Sequence, residues 1–194
     1  MKRLPFGTRN PNKKNAVFLA IHTDEISPWK YFDSSFRQMK CPAMIMIDRW
    51  DGRSGFPGGT VEKDEPLLKT LKREIKEEIG ITIKTDKVKG IATHDGKFLT
   101  HLYALKVQEA EFLHIYYHIL NNFARSILHH AYEEHGDDKS HFLSEITGIK
   151  IVPILEQEGK GINKFIENSF AGSGKNDILV FLDEVYGLNY YDKD

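Results

Sequence analysis

The chain has 194 residues, 40% of them apolar, enough for one compact domain with its own core. Its 27 Lys and Arg against 28 Asp and Glu leave a formal charge of -1, which excludes bulk electrostatic attraction to nucleic acid or to an anionic membrane. A single cysteine, Cys41, excludes an internal disulfide and fits a reducing compartment.

The start, "MKRLPFGTRNPNKKN", collects Lys2, Arg3, Arg9, Lys13 and Lys14 ahead of the first acid, Asp24. It reads either as a solvated tail or as a local polyanion contact. Pro5, Gly7 and the polar stretch after them deny it the apolar core of a signal peptide, and no run in the chain approaches the roughly 20 apolar residues of a membrane span. The expectation is a soluble intracellular protein, cytoplasmic or nuclear, that makes no membrane contact.

"NAVFLAI" (15–21) and "PAMIMID" (42–48) are short apolar runs bounded by polar residues or proline, the pattern of buried strands. The stretch between them, "SPWKYFDSSFRQMK", has no period and reads as a loop. From Asp64 to Ile79, Leu68, Leu71, Ile75 and Ile79 recur at spacings of three and four, which predicts an amphipathic helix stopped by Gly80. Asp95-Gly96, set between strand-like runs within 90–107, predicts a hairpin. Residues 108–135 lack glycine and proline until their end and predict one long helix or two shorter ones. "GIKIVPI" (148–154) predicts a strand ended or interrupted by Pro153. "INKFIENSF" and "KNDILVFLDEVYG" predict two helical segments joined by "AGSG".

Three glutamates, Glu74, Glu77 and Glu78, fall near the end of the first helix. With about 100° per residue, Glu77 lies about 60° to one side of Glu74 and Glu78 about 40° to the other, so the three share a face. Left alone they would repel one another and raise one another's pKa values; a divalent cation reverses that, and hard oxygen donors suit Mg²⁺ or Mn²⁺. The alternative is an exposed acidic helix face.

The order Gly59, Glu65, Arg73, Glu74, Ile75, Glu77, Glu78, Gly80, Ile81 resembles the Nudix box at every fixed position. The resemblance implies a Nudix hydrolase, an α/β fold in which an α/β/α sandwich with a mixed sheet forms a single domain over residues 1–194. It implies metal-dependent cleavage of a nucleoside diphosphate linked to a further group. Glu74, Glu77 and Glu78 would hold metal, with one of them helping to deprotonate water, and a backbone carbonyl at Gly58 would lie near the same ion. Arg73 would pair with a box glutamate such as Glu65 and hold the carboxylates in place.

A narrower resemblance rests on "DRWDGRSGFPGGTVE", "THLYALKV", "GIKIVPI" and "FIENSFAGS". These are similar to the Nudix branch that decaps small nucleolar RNA and hydrolyses inosine diphosphates, over residues 43–107 and 147–182; residues 108–146 look like a helical insertion. This implies capped RNA or purine nucleoside diphosphates as substrate and a homodimer. Arg49, Phe56 and His94 fall at matching positions, Arg49 toward phosphate or base, Phe56 for stacking on a purine and His94 facing the site; a surface arginine, a core phenylalanine and a polar loop histidine are the plainer readings. Asn15 stands where that branch carries a base-recognising histidine, so binding would survive with a shifted base preference. Asp177 replaces a glutamine there, and an aspartate opening a helix is most simply a cap or dipole partner. Glu167 lies in a matching motif without a readable role, and His22 is expected outside the pocket.

"GSGK" (172–175) lacks the glycine and the Ser or Thr that a phosphate loop requires at Ser169 and Asn176. His114 and His118 have metal-pair spacing, yet Ile115 stands where a zinc protease motif needs glutamate, so they read as helix-surface histidines, as do His129, His130, His135 and His141. Two other functions remain open: a pyrophosphatase of ADP-ribose or NAD-type dinucleotides, and a noncatalytic RNA-binding module, which has little reason to keep three mutually repelling acids.

Overall fold

The computed structural model describes residues 2–10, 12–27, 40–132, 146–157 and 161–190. In chain order these form β1 (Lys2–Leu4), β2 (Asn15–Ile26), β3 (Cys41–Arg49), β4 (Ser54–Gly55), β5 (Gly58–Thr60), α1 (Leu67–Ile79), β6 (Val88–Asp95), β7 (Leu99–Lys106), α2 (Glu109–Tyr132), β8 (Ile146–Pro153), β9 (Glu156–Gln157), α3 (Gly161–Phe165) and α4 (Gly174–Tyr186). The loop expected at 27–40 and the end of the expected 108–135 helix lie outside the described residues, apart from their edges.

The sheet runs β1-β6-β7-β2-β3-β4, with β5 also on β2 and β8 also on β3. β2 pairs with β7 in parallel and every other pairing is antiparallel, so the sheet is mixed. β2 is apolar on both faces because both are covered. Val17, Leu19 and Ile21 join Ala43 and Ile45 of β3 against Leu71, Ile75 and Ile79 of α1 and Phe112 and Ile119 of α2. On the opposite face, Ala20, Met44, Met46 and Leu102 meet Ile162 of α3 and Ile178, Val180 and Phe181 of α4. Each fully buried aliphatic side chain here is worth roughly 1.5–3 kcal/mol, and together they hold helices on both sides of one sheet.

α1 starts later than its periodicity predicts. Pro66, extended at φ -65° and ψ 137°, is its N-cap, and Asp64 takes a positive φ of 63°, so the helix begins at Leu67. Leu68 is consequently 41% exposed, while Thr70 shares the buried face with Leu71, Ile75 and Ile79. Gly80 ends the helix at φ 70°, its N–H donating to the Lys76 carbonyl.

β6 and β7 form the expected hairpin, but Asp95 pairs with Leu99 and the turn is the three residues 96–98, closed by a Gly96 N–H to Phe98 O bond of 3.0 Å. β8 begins two residues early and ends on Pro153. The expected 162–170 helix covers only Gly161–Phe165. The amino-terminal arm is not a loose tail: Lys2, Arg3 and Leu4 pair with Asp95, His94 and Thr93 at the sheet edge. Three of its five cations already face groups of this chain, Arg3 against Asp183 and Glu184, Lys13 against Asp95, and Arg9 against the Glu65 carbonyl. Among the described residues no helix is long and apolar enough to cross a membrane.

Candidate active site

The site grows from the junction of β5 and α1. Gly58 has φ +143°, and a Cβ there would lie 2.1 Å from the Val17 carbonyl oxygen of the paired strand. A Cβ on Gly59 would lie 2.3 Å from Glu74 Oε2, so the missing side chain is what lets the Glu74 carboxylate reach the loop. Gly58 N–H donates to Glu78 Oε2 at 2.6 Å, tying the last box glutamate to the same backbone.

Arg73 collects the remaining acids. Its Nη2 lies 3.1 Å from Glu65 Oε2, and its Nη1 lies 2.9 Å from Glu74 Oε1 and 3.1 Å from Glu77 Oε2. Thr70 Oγ1 donates to Glu65 Oε2 at 2.8 Å. Hydrogen bonding from Arg73 holds the Glu65 carboxyl below its ordinary range, and the same pairing holds the arginine firmly protonated. Burial pushes Glu74 the other way, upward, against the pull of Arg73. Part of the answer to the clustered acids is therefore the arginine beside them.

Glu74, Glu77 and Glu78 line a cavity of about 310 Å³ together with Gly58, Gly59, Thr60 and Arg73. Carboxylates and backbone carbonyls are the donor set a hard divalent cation takes, and the half-buried Glu74, its pKa raised by burial, gains from added positive charge, so these residues fit Mg²⁺ or Mn²⁺. Among the described residues no three acidic, His or Cys side chains already form a closed cage. Glu74 and Glu77 are held by Arg73, and Glu78 by the Gly58 N–H.

A second cavity of about 340 Å³ adjoins the first and shares Gly58, Gly59, Thr60 and Glu78 with it. Arg49, from the end of β3, and Phe56 line it. Phe56 is only 3% exposed and meets Phe181 edge-on at 5.5 Å, so its ring belongs to the core as well as to the cavity wall. Asp177, in the first turn of α4, also lines it. The Asp177 oxygens meet side chains: Oδ1 lies 2.5 Å from His94 Nε2, and Oδ2 accepts from Ser173 Oγ at 3.1 Å. Burial pushes Asp177 up, opposed by His94. His94 is fully buried and supports Asp177 from behind instead of facing the cavity.

Asn15 is the correction. Its Nδ2 donates to the Lys13 carbonyl at 3.0 Å, and its Oδ1 lies 3.2 Å from His101 Nε2; His101 Nδ1 in turn lies 3.0 Å from Thr93 Oγ1. Side chains alternate along a strand, so Asn15 shares the α1 face with Val17 and Leu19, and Ala16 and Phe18 are the β2 residues that line the second cavity. Asn15 does not line that cavity. His22 is buried with Nδ1 2.8 Å from the Tyr186 hydroxyl and lines neither cavity. Phe18, Ser173, Lys97 and Phe98 also line the second cavity; the 96–98 turn is the sequence signal for Lys97 and Phe98, and no local pattern singles out Phe18 or Ser173.

The family model described as "Nudt16-like: U8 snoRNA-decapping enzyme-like" matches residues 29–186. The chain belongs to the Nudt16-like family. It is 32% identical over 151 residues to the U8 snoRNA-decapping enzyme of Xenopus laevis, an alignment covering 72% of this chain and 62% of the relative. It is 27% identical over 153 residues to the Mus musculus protein of the same name, covering 74% and 69%. The chain thus spans less than two thirds of the Xenopus relative. A mutT/nudix family protein from Listeria innocua superposes over 92% of this chain and 97% of its own with a TM-score of 0.52 at 14% identity, which shows the Nudix fold. In this Nudt16-like chain the match extends beyond the segments 43–107 and 147–182 whose residues carry the resemblance.

Proposed function

We propose that this protein is a metal-dependent Nudix pyrophosphohydrolase that cleaves nucleoside diphosphate linkages, with nucleotide-capped RNA and (deoxy)inosine or other purine nucleoside diphosphates as its substrates. The observation that carries the reading is the pair of adjoining cavities with Gly58, Gly59, Thr60 and Glu78 as their common wall. A diphosphate at that wall would sit beside the box carboxylates while its nucleoside reaches Phe18, Phe56, Arg49 and Asp177. Mg²⁺ or Mn²⁺ would supply positive charge at the diphosphate oxygens and make water more acidic. Glu74, Glu77 and Glu78 would hold it, and Glu78, present in both cavities, would take a proton from the attacking water. Arg73, itself paired with Glu65, would hold Glu74 and Glu77 in orientation. Attack at one phosphorus releases a monophosphate portion.

Arg49 would meet phosphate or base edge, and Asp177, with His94 behind it, would read donor groups on the base. The single buried thiol, Cys41, supports an intracellular home, cytoplasmic or nuclear. Tyr117 at 51% and Leu120 at 37% exposure on α2 support a homodimer, although Phe112 and Ile119 of the same helix are buried within the chain.

The test compares inosine diphosphate, capped RNA and ADP-ribose at equal concentration in Mn²⁺, in Mg²⁺ and in chelator. The reading expects metal-dependent product release, fastest on capped RNA or inosine diphosphate. Fastest turnover of ADP-ribose would move the substrate to the dinucleotide class, and turnover unaffected by chelator would refute the metal-dependent mechanism.

A further inference from the structure

We propose that the amino-terminal arm is a working part of the box, with Arg9 as a positioning residue that acts through Glu65 and Arg73 on the metal-facing carboxylates. The inference rests on the proposed function and concerns residues 2–10, which precede the family match at residue 29.

The arm is fastened along its length. β1 pairs with β6, Gly7 N–H donates to Thr93 Oγ1 at 3.0 Å, and Phe6 meets Tyr103 edge-on at 5.1 Å. Gly90 makes room for that ring, since a Cβ there would lie 2.1 Å from Phe6 Cζ. This path delivers Arg9 to the box, where its Nη2 donates to the Glu65 carbonyl at 2.8 Å.

Glu65 is a position that needs holding. It stands between Asp64 at positive φ and Pro66, which has no N–H, and it precedes the helix, so its carbonyl has no intrahelical donor. Arg9 supplies one. The Glu65 carboxylate is buried and receives Arg73 and Thr70, and Arg73 spans to Glu74 and Glu77. Through Glu65, bonded at its carbonyl by Arg9 and at its carboxylate by Arg73, the arm is therefore linked to two of the three box glutamates. A side chain that fixes the backbone beneath such a linkage governs where the carboxylates stand, and placement errors of about 1 Å cost on the order of 100-fold in catalysis.

A purely structural clamp makes a different prediction, because Arg3 fastens the same arm to Asp183 and Glu184 of α4 without touching the box. The experiment titrates Mn²⁺ into the full chain by electron paramagnetic resonance without substrate, for wild type, Arg9→Ala, Arg9→Lys and Arg3→Ala. Steady-state kinetics follow at saturating Mn²⁺. Arg9→Ala is expected to weaken Mn²⁺ binding by on the order of 10-fold, as loss of an outer-layer partner does, with KM for nucleotide unchanged. Arg9→Lys, which can still donate to the carbonyl, is expected to restore most of the affinity, and Arg3→Ala to bind Mn²⁺ as wild type does. If Arg9→Ala fails to fold, Arg9→Met, which keeps the apolar stem and removes only the donors, takes its place. Wild-type Mn²⁺ affinity in the Arg9 variant, or an equal loss in Arg3→Ala, overturns the inference while leaving the proposed function standing. A wild-type chain that binds no Mn²⁺ overturns both.

Discussion

Gly58 and Gly59 are adjacent yet forbid a side chain for different reasons, and the difference is measurable. At Gly58 the obstacle is the β2 backbone at Val17 and Phe18, with φ in a range side chains rarely adopt, so Gly58→Ala is expected to destabilise the fold by about 3 kcal/mol or more in urea unfolding. At Gly59 the obstacle is the movable end of Glu74, so Gly59→Ala is expected to fold well and instead lose on the order of 10-fold to 100-fold in Mn²⁺ affinity. Equal effects of the two substitutions on stability would contradict this assignment. The pairing of Arg73 with Glu65, which the resemblance to the box implies, is present in the structure. The face on which Asn15 lies was not legible: β2 is apolar on both sides, so its sequence carries no polar alternation to say which residues turn toward α1 and which toward α4.

α1 carries the acids on one side and is anchored to the sheet by the other. Ile75 follows Glu74 directly and is fully buried, so Ile75→Ala is expected to cost about 2 to 5 kcal/mol and to loosen the box with it, measurable as a lower unfolding midpoint that added Mn²⁺ partly restores. A midpoint equal to wild type would show that the helix does not depend on this contact. Long periodic elements were legible: β2, β3, α1, the β6–β7 hairpin, α2 and α4 all follow apolar spacing and glycine punctuation. β1 was not, because three residues are too short to show a period, and α3 was legible as a helix but not in its extent, which stops at Phe165. β1 is ordered by edge pairing with β6 and by ion pairs to α4, contacts distant in sequence that no local pattern encodes.

Across the whole molecule, two further buried histidines besides His94 sit on opposite faces of the sheet, His101 under the arm and His22 against Tyr186. Burial lowers both to about 4 from the ordinary value of 6.5. Between those values the unfolded chain binds protons that the folded chain refuses, so stability is full above pH 6.5 and falls as the pH drops toward 4, by up to about 3 kcal/mol per histidine. Urea midpoints at pH 7 and pH 5 check this, and a pH-independent midpoint would contradict it. The fold holds helices on both faces of one mixed sheet, and that arrangement brings the box from one side and Asp177 of α4 from the other to a shared wall at Gly58, Gly59 and Glu78. The most direct test of that convergence is product release from capped RNA and inosine diphosphate by wild type and by Glu78→Gln, in Mn²⁺. Glutamine can still accept the Gly58 N–H bond, so the fold is expected to persist while turnover disappears. Undiminished turnover by the variant, or RNA bound by a folded wild type that releases no product in any metal, would contradict the account.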